Sequence, residues 1–144
     1  MIKKFLNPGD YPRTVNIGLF LLRAAAGILM LTHGAGKVMM LIGDDPIKFG
    51  DPVGIGPAAS LVLAAFAEFA CSLLLIFGAA TRFAVIPLIV TMLVAGLIVH
   101  AGDAFRVKEL AFLYLSIFIT IAFTGSGKFS VDNLIYKKID NQNN

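Results

Sequence analysis

Residues 19–37, LFLLRAAAGILMLTHGAGK, are apolar enough to cross a bilayer and yet carry Arg23, His33 and Lys37. Successive residues of an α-helix turn by roughly 100°, which sets Arg23, Gly27, Met30, Gly34 and Lys37 in one narrow stripe with His33 on its flank. A cation at the centre of a bilayer costs at least about 2.5–3.5 kcal/mol. This face must therefore meet partners inside the protein rather than lipid, and the rest of the chain has to supply them.

The composition is that of a membrane protein. The 144 residues are 58% hydrophobic and 15% charged, with a mean hydropathy of +0.84, outside the range of soluble domains. A hydrocarbon core of about 30 Å needs roughly 20 residues of helix, and four apolar blocks of that size occur, at about 15–40, 57–78, 83–100 and 107–124. The expected fold is an all-α membrane protein, a four-transmembrane-helix bundle forming one domain over residues 1–144.

Other classes are excluded on the same grounds. The formal charge of +3 is scattered in flanks and loops without a basic run longer than two, which points to juxtamembrane charge and not to nucleic acid. Pro8 and Pro12 interrupt the start, and the following block is too long for a signal peptide and contains Arg23, so the first span is expected to stay in the mature protein. The single cysteine, Cys71, excludes an internal disulfide, a dithiol pair and a cysteine-ligated cluster built from this chain alone. An apolar surrounding leaves such a thiol unreactive.

Along the chain, residues 1–14 (MIKKFLNPGDYPRT) suit an interfacial segment with snorkelling lysines. Thr14 or Asn16 is placed to cap the first helix. Residues 43–56 (GDDPIKFGDPVGIG) are a loop in which turn chemistry accounts for Asp44, Asp45 and Asp51 without a metal. Pro57 is a favoured first helical position and Gly78 a favoured exit. Small residues along span two permit close helix approach, and residues 79–82 are short enough to force an antiparallel hairpin between spans two and three. The GSGK at 125–128 lacks the earlier glycine and the following Ser or Thr of a phosphate loop. A short amphipathic tail follows it, and residues 140–144 (DNQNN) read as a frayed polar end.

Four spans put both termini on one side with the 79–82 turn. That side carries Lys3, Lys4, Arg13, Arg82, Lys128, Lys137 and Lys138, against Lys48, Arg106 and Lys108 opposite, which favours cytoplasmic termini.

Depth, at about 1.5 Å per residue, matches Arg23 to Glu68 in the middle of span two, so an Arg23–Glu68 ion pair is expected. His33 and Lys37 approach the far boundary, where His100 ends span three and Glu109 opens span four, and a Lys37–Glu109 pair is expected there. Arg23, His33, Lys37, Glu68, His100 and Glu109 are thus the candidate ligand-binding residues, and no catalytic residue is singled out. Each has a bland reading as an ion pair fixing registry, a satisfied interfacial histidine or a snorkelling lysine. His33 and His100 together have the ligands for axial haem binding, but the lysine and glutamate nearby suit a small polar or quinone-like ligand better.

The layout resembles the DoxX family of small bacterial membrane proteins. The resemblance rests on LLRAAAGILMLTHGAGK (21–37), AEFACSLLLIFGAATR (67–82) with Glu68 and its Thr-Arg turn, Glu109 at the start of span four, and the exit GSGKFSVD, where Ser126 stands in place of the proline relatives often carry. It implies a multi-pass protein of the bacterial cytoplasmic (inner) membrane. It also implies association with a thiosulfate:quinone oxidoreductase subunit, with quinone or catechol stress responses, or with oxidative-stress membrane complexes. The expected function is a quinone-linked redox component of a respiratory or oxidative-stress system. No cofactor motif is encoded, so electron chemistry would come from a bound quinone or a partner subunit. Expected partners are the lipid bilayer, a membrane or redox subunit, and a second copy of the chain in a homo-oligomer. The rival reading is a non-catalytic assembly factor or adaptor. A transporter is disfavoured, since four spans without a repeat leave little machinery for alternating access.

Overall fold

The structure, a computed structural model, describes residues 5–142. Those residues are all-helical, with no strand among them. Four helices are long and apolar enough to cross a membrane: α1 (Arg13–Ile42), α2 (Pro57–Phe77), α3 (Thr81–Val99) and α4 (Phe105–Thr124). A fifth, α5 (Val131–Gln142), follows the exit turn, so the polar end expected to fray from residue 140 is helical through Gln142. Lys3 and Lys4, which enter the charge count above, lie outside the described residues.

α1 packs chiefly on α2, and α3 chiefly on α4. The core between them is Met30, Leu75, Val85, Leu88, Phe118 and Ile121 with their neighbours, while Leu21, Ile28, Leu29 and Phe123 point outward, as apolar side chains do where the surrounding solvent is lipid.

Two glycines on the α1 stripe set its register against α2. A Cβ at Gly34 would lie 2.4 Å from the Glu68 carbonyl carbon, and one at Gly27 would lie 2.7 Å from the Ile76 side chain and 3.1 Å from the Ser72 oxygen. Only glycine allows the backbones this close. Gly34 therefore faces Glu68, and Arg23, eleven residues earlier, lies roughly 16 Å away along the axis.

This register overturns the expected Arg23–Glu68 pair. Matching depths from each helix's own end assumed flush ends, but α1 begins about ten residues beyond the level where α2 stops. Arg23 consequently meets the end of α2 rather than its middle. Its guanidinium donates to the carbonyls of Leu75, Ile76 (2.7 Å) and Phe129 (2.8 Å). Two of these belong to the last turn of α2, whose carbonyls have no partner within the helix and carry the negative end of its dipole. Gly78, at φ +68°, lets the chain turn away in a conformation that suits glycine, and a Cβ there would meet Arg23 at 2.6 Å.

Arg82 does the same for α4. It donates to Ala122 and Phe123 at the helix end and to Asn7, at 3.1, 3.4 and 2.6 Å. Asp132 closes the start of α3: its carboxylate accepts from Ala80 N at 2.6 Å and Thr81 N at 2.9 Å, and Ala80 is held at φ +47°, a region side chains rarely adopt. Asn16 does not cap α1. It donates to Tyr11 and Pro12 and accepts from Lys128 N, tying the exit turn to the first helix. Ser126, 2% exposed, lies in the same seam, within hydrogen-bond reach of Ser130 at 3.0 Å.

Candidate functional site

The opposite end of the bundle is built differently. Over Phe66–Cys71 α2 loosens into a π-helix, and over Ala95–Val99 α3 does likewise. Such segments recur at functional sites because they displace the helix surface locally. Here they carry Glu68 and border the space in front of it. Glu68 is 5% exposed, and its Oε2 lies 2.5 Å from Lys37 Nζ. Lys37 stands one turn beyond Gly34 on the stripe, so the glycine that brings the α2 backbone close also delivers the carboxylate to the lysine.

This pair replaces the expected Lys37–Glu109 pair. Glu109 is exposed on the first turns of α4 and borders neither cavity described below. The reason is again register: the lysine found its partner across the tight α1–α2 seam, not at the looser α1–α4 seam.

Two cavities meet at the pair. One, about 300 Å³, lies between α2 and α3 under the 43–56 loop, with Leu63, Ala64, Val94, Val99 and the loop's Phe49 and Pro52 in its wall. The other, about 230 Å³, lies between α1, α3 and α4 and is bordered by Met30, His33, Met92, Leu110 and Tyr114. Lys37, Glu68, Ala95 and His100 line both.

The structure thus brings together His33, Lys37, Glu68 and His100, and leaves Arg23 and Glu109 apart from them. The His33 ring stands edge-on to Tyr114, centroids 6.5 Å apart. His100 is half-exposed, its Nδ1 2.7 Å from the Asp103 carboxylate. Among the described residues no group of three His, Cys, Asp or Glu side chains is placed to hold a metal ion. The 43–56 loop is fixed by Asp51, which accepts from Ile55 N, Gly56 N and the Ser60 hydroxyl. Those bonds, led by the one from Gly56, hold its carboxyl below the usual carboxylate range.

Two residues were not singled out from the sequence. Tyr114, 7% exposed, joins the site from α4, and its only signal was a hydroxyl in the middle of an apolar span. Asp132 sat within the quoted exit motif, but nothing local marks it as the cap of a helix fifty residues earlier.

Chemically, the arrangement offers a cationic donor and a carboxylate that neutralise one another, with imidazoles and a phenol around them and apolar walls behind. Such a site holds a neutral ligand with hydrogen-bonding ends better than an ion.

A family model described as DoxX matches residues 18–101, a stretch that holds His33, Lys37, Glu68 and His100 and ends before α4. The chain is 30% identical over 127 residues to "Inner membrane protein YqjF" of Escherichia coli (strain K12), an alignment covering 85% of this chain and 95% of that one. It is 30% identical over 132 residues to "Putative oxidoreductase CatD" of Bacillus subtilis (strain 168), covering 91% and 96%. It is 32% identical over 127 residues to an "Uncharacterized protein" of Haemophilus influenzae, covering 83% and 92%. No solved structure matches the chain.

Proposed function

Since this chain belongs to the DoxX family of membrane proteins, we propose that it is a quinone-linked redox component of the bacterial inner membrane, with both termini in the cytoplasm. The Lys37–Glu68 pair is its ligand site. The observation that carries this reading is a part-buried ion pair, its carboxylate enclosed and its lysine 23% exposed, standing at the junction of two cavities. A quinone carbonyl accepts from Lys37 Nζ, and the hydroxyl of the reduced ring donates to Glu68. His33 and His100 border the same space as further polar groups. Electrons come from a partner redox subunit. The oxidoreductase named among the relatives and the excess of positive charge at the terminal end support the reading, through Arg13, Arg82, Lys128, Lys137 and Lys138.

The test is the quinone content of purified protein, read by mass spectrometry of its lipid extract. Wild-type protein is expected to retain quinone in stoichiometric amount, and Lys37→Met with Glu68→Met together to lose it. The paired substitution strands no charge and should leave the melting temperature near that of the wild type. Absence of quinone from the wild type, or equal retention by the double variant, overturns the reading and leaves the adaptor role standing.

A further inference from the structure

The two cavities differ in character, and the difference specifies the ligand. Lys37, Glu68 and His100 border both, and the α1–α3–α4 chamber adds two further polar groups, His33 and Tyr114. Across the ion pair, the α2–α3 chamber is the larger of the two and presents mostly aliphatic wall. Its roof is a built one. In the 43–56 loop Ile47 and Ile55 stay exposed while Phe49 and Pro52 turn inward and half-bury against the chamber, and Asp51 holds the loop together through Ile55 N and Gly56 N and ties it to the start of α2 through the Ser60 hydroxyl. The space is a groove open at its side, with Leu63 57% and Val99 55% exposed, and a mostly aliphatic groove of this kind takes up an apolar chain better than a polar one.

Resting on the quinone reading above, we infer that the ligand is a tailed one: a quinone ring bearing at least one prenyl unit. The ring sits at Lys37 and Glu68 in the polar chamber, and the tail passes the pair to lie under the loop against Leu63, Ala64, Val94 and Val99. A tail-less, water-soluble benzoquinone or catechol fills only half of this site. The pair itself carries no net charge to favour an anionic catecholate. The tail thus supplies binding energy that the ring alone lacks, since affinity grows with each methylene removed from water.

Calorimetric titration of the protein in lipid nanodiscs tests this with three probes: an unsubstituted benzoquinone ring, the same ring with one prenyl unit, and with two. Val94→Phe fills the tail chamber from α3 and leaves Lys37 and Glu68 themselves in place, and Ala64→Leu fills it from α2 should the first variant fail to fold. Partition of the tail into the disc raises apparent affinity for wild type and variant alike, so the ratio between them is the quantity read. That ratio is expected to be near one for the bare ring and at least about tenfold for the prenylated rings. A ratio near one for all three probes, or the same loss for the bare ring as for the tailed ones, overturns the tail assignment while leaving the ring site intact. Failure of every probe to bind the wild type overturns the quinone reading itself, and the tail assignment with it.

Discussion

At the terminal end of the bundle Arg23, Arg82 and Asp132 direct their charge at main-chain groups of helix ends, while at the loop end Lys37 and Glu68 direct theirs at each other and border open volume. The contrast separates two uses of buried charge that look alike in the sequence. Arg23 is 1% exposed and Glu68 5%, so burial does not distinguish them. Their partners do. A guanidinium whose two Nη groups donate to carbonyls of α2 and the exit turn is held by the main chain of helix ends. An ammonium and a carboxylate facing one another across a cavity can each exchange partners with a ligand and remain satisfied. The terminal end is closed around its buried arginine, and the loop end is open, its ion pair bordering the two larger cavities.

The sharpest way to break the comparison is at the closed end. Arg23→Ala removes the side-chain donor to the Leu75, Ile76 and Phe129 carbonyls and leaves a void against Gly78, and is expected to cost about 3 kcal/mol or more. Little folded protein should elute from a size-exclusion column in detergent. Adding Glu68→Ala should not restore it; restoration would mean that the two charges are coupled after all. Gly34→Ala probes the seam that joins the two ends. The new methyl meets the Glu68 backbone at 2.4 Å, and the strain is expected to cost about 1–3 kcal/mol while pushing Glu68 away from Lys37. Both a lower melting temperature and weaker quinone retention should follow, and a variant that melts like the wild type would show that the seam is slack.

Asp132→Asn keeps the shape of the α3 cap but loses its charge at the helix N-terminus. A loss of about 0.5–2 kcal/mol is expected, with quinone content per folded molecule unchanged. Reduced retention in this variant would mean that the closed end also governs the site.

The smallest effect lies in the loop that roofs the open end. The carboxyl of Asp51 is held below the usual range by bonds from Gly56 N, the Ser60 hydroxyl and Ile55 N. A depressed carboxyl contributes stability that is present above its unfolded value, about 3.9, and is lost as pH falls through the lower folded value. Hydrogen exchange at the Ile55 and Gly56 amides, corrected for intrinsic rate, should therefore stay constant from neutral pH to about 4 and rise below it. Protection that disappears near neutral pH would show that some other group holds the loop.

Much of the architecture was legible in the sequence. Span-length apolar blocks can satisfy their backbone in lipid only as helices, so four helices followed from composition. The stripe Arg23, Gly27, Met30, Gly34 is buried as 100° periodicity requires. That Lys37 and Glu68 need partners followed from the cost of charge in hydrocarbon. The sequence could not say which charge meets which. A helix's rise gives depth relative to its own end, and the offset between ends comes from the contacts of Gly27 and Gly34 with α2 and from the exit turn lying alongside the overshooting start of α1. An offset of ten residues moved Arg23 out of reach of Glu68 and brought Lys37 to it. The cavities were likewise beyond the sequence, because they are what remains where two π-helical segments and the looser α1–α4 seam fail to close, and space between helices is a property of their packing and not of any one of them.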